Sequence, residues 1–232
     1  MNGTIRPASK GRKFLLLIIL LVLVPFAIFL GKGSRNHYLY LPYLGEREVV
    51  SPGDTTYFTV PPFHFTDQDG RPFTDKDTEG KVLVVDFFFT RCTSICPKMS
   101  VQMQQLQLQM AGESRYDDVL FLSHTVDPEH DTPEVLKAYA RRLEADSTRW
   151  KFLTGNAPDI YRQGNLGYLL SAGTDSTSAE QFVHSPQFVL VDKRRHIRGM
   201  YDGTSTDAMH ELMTALRMLL HEETERANGT FR

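Results

Sequence analysis

Residues 81–97 read KVLVVDFFFTRCTSICP, and this stretch decides the fold. Its first half, Lys81 to Phe89, is a short and almost continuous apolar run, which is typical of a β-strand covered on both faces. Its second half places Cys92 and Cys96 directly after that strand, and Pro97 suits the first turn of a following helix. The stretch therefore predicts a buried strand, a loop that carries two cysteines, and a helix.

Strand and helix patterns alternate on either side of this stretch. Residues 57–66 alternate apolar and polar side chains ahead of a turn, which predicts the start of a hairpin. We then expect, in chain order, a helix at 97–110, a strand at 119–126, a helix at 134–143, a strand at 150–153, two strands at 187–191 and 196–201, and an amphipathic helix at 207–221. The short loop between the last two strands requires an antiparallel pair. The predicted fold class is therefore α/β and thioredoxin-like, a mixed central sheet flanked by helices.

The composition fits one domain of ordinary size with a short appendage. The chain has 232 residues, 41% of them hydrophobic, and a formal net charge of −2. This balance gives no support for nucleic-acid binding. The sequence also lacks a phosphate-binding P-loop, a glycine-rich dinucleotide motif and an H-E-x-x-H zinc helix. The cysteine pair is therefore the main chemical signal.

The appendage is the N-terminus, where residues 1–13, a segment with the four basic residues Arg6, Lys10, Arg12 and Lys13, precede an unbroken apolar run at residues 14–30. As a helix this run spans about 26 Å, the short end of what crosses a bilayer core. We therefore expect one N-terminal transmembrane anchor. A cleaved secretory signal is the alternative, although its apolar region is usually shorter and ends in a small-x-small site.

The anchor also predicts where the domain resides. Basic residues remain in the cytoplasm, so the rest of the chain crosses the membrane. The basic segment is too short and too poor in serine for a transit peptide, which favours a bacterial inner membrane and a periplasmic domain. We interpret residues 31–54 as a tether, residues 55–222 as the domain, and residues 223–232 as a C-terminal tail.

The spacing of the cysteines favours metal binding. Three residues separate Cys92 from Cys96, whereas thioredoxin-like oxidoreductases have two. Residues four apart share one face of a helical turn, so two thiolates can converge on one metal ion. The helix N-terminus also favours the thiolate form, and thiolates select Cu(I) and zinc among common metals. Two sulfur ligands leave either metal under-coordinated, so we expect a third ligand, with histidine as the first candidate.

His184 is the best placed of the eight histidines. It lies in a loop entering the strand at 187–191, which in a thioredoxin-like sheet returns close to the cysteines. A lone histidine of this kind is more often structural, but the incomplete cysteine site favours a ligand. The less informative histidines lie in the tether, in a basic turn and on the last helix: His37, His196, His210 and His221.

Three segments together resemble the Sco/SenC family: residues 86–97, residues 126–133 (VDPEHDTP) and residues 183–185 (VHS). The resemblance covers most of the soluble domain. It implies a membrane-tethered copper chaperone of thioredoxin fold in which Cys92, Cys96 and His184 bind one copper ion. It further implies a periplasmic copper donor and, as client, the copper-bearing subunit of cytochrome c oxidase.

The chain departs from the family pattern beside His184. Family members commonly have aspartate where this chain has Val183, so an acidic partner that could orient His184 is missing there. His124 could act as a donor to a ligand or as a fourth ligand, although a surface or packed histidine is the plainer interpretation. We interpret Asp127 as orienting a ligand or facing a partner, with a structural role in the turn before Pro128 as the alternative.

Other functions could use the same cysteines. A thiol–disulfide oxidoreductase that reduces an oxidase subunit or another periplasmic protein needs an exposed, low-pKa thiol and a resolving partner, but not His184. A thiol peroxidase is a weaker interpretation, because the threonine and arginine setting expected around a peroxide is missing. A purely structural disulfide would close too small a loop to stabilise the fold much. The chaperone function itself needs no enzymatic turnover.

Overall fold

A computed structural model of the chain describes residue 19 and residues 21–23, 40–51, 54–174 and 182–230, with the backbone alone over residues 182–184. The chain divides into two units, Met1–Leu39 and Tyr40–Arg232. Most of the predicted anchor at residues 14–30 lies outside the described residues. Among the residues that are described, no helix is both long and apolar enough to cross a bilayer.

Strands and helices alternate along most of the second unit. The strands are β1 (Arg47–Ser51), β2 (Asp54–Tyr57), β3 (His64–Asp67), β4 (Pro72–Thr74), β5 (Val82–Phe88), β6 (Val119–Thr125), β7 (Trp150–Thr154), β8 (Ala172–Thr174), β9 (Phe182–His184), β10 (Gln187–Val191) and β11 (Ile197–Asp202). The helices are α1 (Cys96–Met110), α2 (Pro133–Arg142), α3 (Ala157–Arg162), which continues into a π-helical turn (Gln163–Gly167), and α4 (Thr206–Ala227). Short 3-10 turns occur at Asp75–Thr78 and Ser114–Tyr116.

The central sheet has seven strands in the order β11-β10-β5-β6-β7-β3-β4. Strands β5, β6 and β7 are parallel, whereas β10 and β3 run antiparallel to their neighbours β5 and β7. This is the mixed sheet predicted from the sequence. Two small antiparallel sheets, β1-β2 and β8-β9, complete the strand pairing within the described residues.

Strand β5 is buried along its whole length because α1 and α2 pack on one face of the sheet, and aromatic side chains together with the π-helical turn after α3 pack on the other. Phe88 contacts Tyr139 of α2, with ring centroids 5.2 Å apart, and the Tyr139 hydroxyl lies 2.7 Å from Ser100 of α1. The neighbouring Phe87 points to the opposite face, where its ring stacks on His124. The two faces explain the continuous apolar run in the sequence.

The cysteine helix α1 forms as the sequence predicts. Pro97 occupies its first turn, and four apolar side chains at three-to-four spacing face the core: Met99, Met103, Leu106 and Met110. The helices α2 and α4 begin at the capping residues Thr132 and Ser205, whose side chains accept backbone N–H groups.

The folded unit extends beyond the predicted domain boundaries at residues 55 and 222. The backbone N–H of Leu44 donates to the Ile197 carbonyl over 2.9 Å, and β1, which lies inside the segment interpreted as a tether, pairs with β2. Arg198 is fully buried and donates to the carbonyls of Leu41 and Pro42. At the other boundary, α4 continues to Ala227 and so includes part of the predicted tail.

The chain enters this unit at the end of the sheet opposite the cysteines. Leu44 forms a β-bridge with Ile197, the first residue of β11. Ile197 pairs with Val191 of β10, which in turn lies opposite Leu83 near the start of β5. The cysteines follow the other end of β5. The long axis of the central strand therefore separates the entry of the chain from the cysteine pair.

Candidate metal centre

Three segments meet at the end of the sheet where the carboxyl end of β5 lies. Strands β5 and β6 are parallel, with Phe88 opposite Thr125, so the loops that follow them leave from the same edge. We call residues 89–95 the cysteine loop and residues 126–132 the aspartate loop. Strand β10 runs antiparallel to β5, so the segment that enters β10 lies at this edge as well.

The two cysteines lie side by side at the start of α1, as predicted. Cys96 is the first residue of the helix and is 1% exposed, whereas Cys92 is 7% exposed. Both are thiols, not joined in a disulfide. The Cys96 backbone N–H donates to the Cys92 sulfur over 3.4 Å, and the Ser94 hydroxyl lies 3.6 Å from the same sulfur. The helix N-terminus thus faces the Cys92 sulfur.

The surroundings raise the pKa of the Cys96 thiol well above its ordinary value. The hydrogen bond with Cys92 is the largest cause, burial is the next, and the negative charge of Asp86 adds to both, while the Phe89 backbone N–H opposes them. Cys96 therefore keeps its proton at neutral pH. A bound metal ion or a disulfide bond has to displace that proton.

Asp127 is buried and contacts the cysteine loop through Arg91. Both the Nε–H and a terminal N–H of the Arg91 guanidinium donate to one Asp127 carboxylate oxygen, the former over 3.1 Å. Arg91 precedes Cys92 directly, and its side chain is 56% exposed. The carboxylate thus holds the residue next to the cysteine.

His124 is packed in the core on the opposite face of the sheet from Asp86, whose charge acts on Cys96. Its ring stacks on Phe87 at 4.9 Å and meets Phe63 and Phe65 edge-on. Neither ring nitrogen has a hydrogen-bond partner among the described residues, and burial lowers the pKa of His124 to about 3. The imidazole is therefore enclosed, is neutral at pH 7, and makes no polar contact with the cysteines in the described part of the chain.

The backbone of residue 184 lies at the cysteine edge of the sheet. His184 pairs with Ala172 across the small β8-β9 sheet, as Val183 does with Gly173. Two residues later the Pro186 carbonyl accepts the Gly203 N–H over 2.7 Å. A side chain added at Gly203 would come within 3.2 Å of Met99, in the first turn of the cysteine helix. The fold thus brings the backbone of His184 to the end of the sheet that carries Cys92 and Cys96.

Sequence reasoning missed a cluster in the aspartate loop. The potential ligand atoms of Asp127, His130 and Asp131 lie within 4.8 Å of one another. Both carboxylates already accept hydrogen bonds from the cysteine loop, through Arg91 and Thr90. The VDPEHDTP stretch holds the only signal for this cluster, two aspartates at a spacing of four beside the capping residue of α2. We attribute the cluster to loop structure rather than to a second metal.

The mixed sheet, with a strand, a dithiol loop and a helix in succession, defines a thioredoxin-like protein whose two thiols meet at a helix N-terminus. The SCO1/SenC family model matches residues 52–221. The chain therefore belongs to the SCO1/SenC family, as the resemblance in its motifs implied.

Similar proteins agree with this assignment. The SCO1 protein homolog of Bacillus subtilis is 28% identical over 180 residues, which cover 78% of this chain and 91% of the homolog. The structure of BsSco, described as a Sco-family cytochrome c oxidase assembly protein with a disulfide switch, is 29% identical, with a TM-score of 0.62 over 70% of this chain and 94% of BsSco. Copper-bound ScoI of Bradyrhizobium japonicum is 25% identical, with a TM-score of 0.56 over 68% of this chain and 99% of ScoI.

Proposed function

We propose that this protein binds one copper ion through Cys92, Cys96 and His184 and delivers it to the dinuclear copper centre of cytochrome c oxidase. The observation that carries the proposal is the reduced cysteine pair at the start of α1, with the backbone of residue 184 at the same edge of the sheet. The copper-bound ScoI structure and the oxidase-assembly role given for BsSco support it.

The donor set suits Cu(I) as cargo. Two thiolates and an imidazole are soft to intermediate ligands, which copper prefers to the carboxylates of the neighbouring loop. Copper binding has to displace the proton that the surroundings hold on Cys96. The client then takes the copper by exchanging its own ligands for these, without any chemical turnover by the chaperone.

The proposal includes a membrane tether. Residues 14–30 anchor the chain in the bacterial inner membrane, and the domain receives copper from a periplasmic donor. The basic residues before the apolar run and the positive-inside rule support this orientation. Attachment to the membrane of the oxidase raises the effective concentration of the chaperone near its client without any new contact.

Titration of the reduced full chain with Cu(I), in competition with a chromophoric chelator, tests the ligand set. We expect one copper per chain. Loss of an outer partner of a metal ligand typically costs 10 to 100-fold in affinity, so Cys92→Ser, Cys96→Ser and His184→Ala should each weaken binding by more than about 100-fold. The matched control is His210→Ala, on an exposed position of α4, which should leave the affinity unchanged. Stoichiometric tight binding that survives both Cys92→Ser and His184→Ala would refute the ligand set.

Thiol–disulfide exchange is the second candidate, and one observation favours it. Cys92 is less deeply buried than Cys96, and the N-terminus of α1 faces its sulfur, which favours the thiolate form of an attacking cysteine. Cys92 would attack a client disulfide, and Cys96 would then release the reduced client by forming the Cys92–Cys96 disulfide. The disulfide switch described for BsSco supports this candidate.

Substitution of His184 separates the two functions. A reductase carrying His184→Ala should keep the wild-type rate of reducing a model disulfide peptide, whereas a copper chaperone should lose metal affinity. A variant that loses both properties would point to a structural role for His184. A variant that keeps both would leave the thiol chemistry as the better-supported function.

A further inference from the structure

The aspartate loop forms hydrogen bonds with the turn that precedes Cys92. We propose that Asp131 is a positioning residue for Cys92, and that it acts through Thr90. The copper part of this inference rests on the proposed function, whereas the positioning itself concerns the metal-free chain. Asp131 contacts neither cysteine in the described structure; it holds the backbone that places one of them.

Asp131 is fully buried and accepts four hydrogen bonds. One carboxylate oxygen accepts the Thr90 backbone N–H at 3.0 Å and the Thr125 hydroxyl at 2.5 Å. The other accepts the Thr90 hydroxyl and, at 2.9 Å, Nδ1 of His130. Every acceptor direction of the carboxylate is therefore used, half of them by Thr90.

The carboxylate is itself fixed to the central sheet. Thr125 is the last residue of β6, and its hydroxyl accepts the Asp127 backbone N–H at 3.0 Å while it donates to Asp131. Val126 follows Thr125 in the chain, and its backbone N–H donates to the Phe88 carbonyl of β5 over 2.8 Å. These hydrogen bonds fix the Asp131 carboxylate to the ends of β5 and β6.

Thr90 lies inside the turn that sets the position of Cys92. The Cys92 N–H donates to the Phe89 carbonyl over 3.2 Å, which closes a turn with Thr90 and Arg91 at its centre. Asp131 holds Thr90, and Asp127 holds Arg91. Both central residues of the turn are therefore bound to carboxylates of the aspartate loop.

The turn contacts both sulfur atoms. Phe89 starts the turn, and its backbone N–H hydrogen-bonds to the Cys96 sulfur. Cys92 ends the turn, and its sulfur accepts the Cys96 backbone N–H over 3.4 Å. A shift of Thr90 moves the residues on either side of it, so release of the turn should separate the two sulfurs from their present partners. Asp131 thereby sets the mutual geometry on which metal binding by the pair depends.

The choice of residue at position 131 matters because an amide reproduces only part of the hydrogen bonding of the carboxylate. Asparagine has one acceptor oxygen and a donor NH₂ group, so two of the four hydrogen bonds would have to reverse direction or be lost, and the negative charge that strengthens all four would be removed. Asp131→Asn should therefore weaken the hydrogen bonds to Thr90 with little change in side-chain volume.

Amide hydrogen exchange and Cu(I) competition titration of the full chain in detergent test the proposal. In Asp131→Asn we expect faster exchange at the amides of Thr90 and Cys96, and Cu(I) affinity lowered at least about tenfold, the size typical for loss of an outer partner of a ligand. Thr90→Val should act in the same direction, and Thr90→Ser, which keeps the hydroxyl, should restore the wild-type values.

The matched control is Asp192→Asn. Asp192 is also buried and accepts the N–H groups of Arg194 and His196, each at 2.9 Å, in the turn after β10, at the opposite end of the sheet. It should lower the stability of the fold but leave Cys96 exchange and copper affinity unchanged.

The proposal would be overturned if both Asp131→Asn and Thr90→Val kept the wild-type exchange rate at the Cys96 amide and the wild-type copper affinity. It would also be overturned if Asp192→Asn changed these two quantities as much as Asp131→Asn does. If Asp131→Asn does not fold, the Thr90 pair decides the question. A wild-type chain that binds no copper would refute the proposed function alone, because the Cys96 amide still reports on positioning.

Discussion

His124 links the stability of the fold to pH through a single side chain. Its imidazole is fully enclosed by aromatic rings, and no polar group among the described residues compensates a charge there. Burial lowers its pKa from 6.5 to about 3, so the folded state holds it neutral. The unfolded chain binds a proton at higher pH than the folded chain does. The contribution of this group to stability is therefore complete above about pH 6.5 and is lost as the pH falls towards 3.

Urea unfolding of the reduced chain at pH 7 and pH 5 measures this effect. Protonation of the unfolded state at pH 5 should cost about 2 kcal/mol through His124 alone. We expect His124→Phe, which suits the aromatic surroundings, to remove that part of the pH dependence and to raise stability. The control His221→Gln, on an exposed position of α4, should retain the wild-type dependence. An unchanged pH dependence in His124→Phe would contradict the assignment.

Residues could be predicted from the sequence where the signal was local. Cys92 and Cys96 were found because strand, loop and helix succeed one another within a single stretch. The surroundings of His124 could not be predicted, since alternation along a strand separates two faces without showing what packs on each of them. The contacts of Asp131 also escaped, because Thr90 and Thr125 reach it only after β5 and β6 have paired.

At the scale of elements, Arg198 of β11 ties three parts of the chain together. Its fully buried guanidinium makes two hydrogen bonds to Glu222 of α4, one to Asp192, and others to the carbonyls of Leu41 and Pro42. Opposite charges compensate one another here away from water, so removal of one partner leaves the rest unpaired.

Arg198→Met should therefore cost about 3 to 5 kcal/mol of stability, the range for breaking a buried ion pair. We also expect faster hydrogen exchange at Leu44, whose amide binds the neighbouring Ile197. Arg162→Met is a suitable control, because the Arg162–Asp159 pair is exposed and should contribute less than about 1 kcal/mol. Urea unfolding and exchange mass spectrometry measure both quantities. Equal stabilities of the two variants would refute this role.

Elements with a clear local period could be predicted to within a few residues, and those that depend on distant partners could not. Strand β10 has the predicted limits, and α1 begins one residue earlier than expected. The β1-β2 hairpin was missed because its five-residue first strand is exposed throughout and so lacks an apolar period. The packing of residues 41–44 was missed because it depends on β11 and α4.

For the whole molecule, the proposed tether separates copper binding from copper delivery. A chain in which a cleaved secretory signal replaces residues 1–39 still reaches the periplasm and retains the folded unit from Tyr40 onwards. If the tether acts only through effective concentration, this chain should bind Cu(I) as tightly as the full chain. In cells that depend on this protein for oxidase assembly, the untethered chain should support less copper loading of the oxidase at normal expression. Copper loading should recover when the untethered chain is expressed at a high level.

Oxidase activity in isolated membranes, at two expression levels, measures this prediction. A second chain, in which an unrelated apolar helix replaces residues 14–30, should behave as the wild type. Cys92→Ser at both expression levels controls for loading that does not depend on the metal site. Full activity of the truncated chain at normal expression would show that the tether is dispensable.

The entry of the chain at the far end of the sheet has a practical consequence. From the first to the last of its seven residues, β5 spans about 20 Å at 3.3 Å per residue, and this length separates Leu44 and Ile197 from the cysteine loop. A fusion partner, affinity tag or electrode surface attached ahead of Tyr40 would therefore join the domain at the end of the sheet opposite the cysteine loop. Immobilised chains of this kind could be used for voltammetry of the thiol pair without a redesign of the domain.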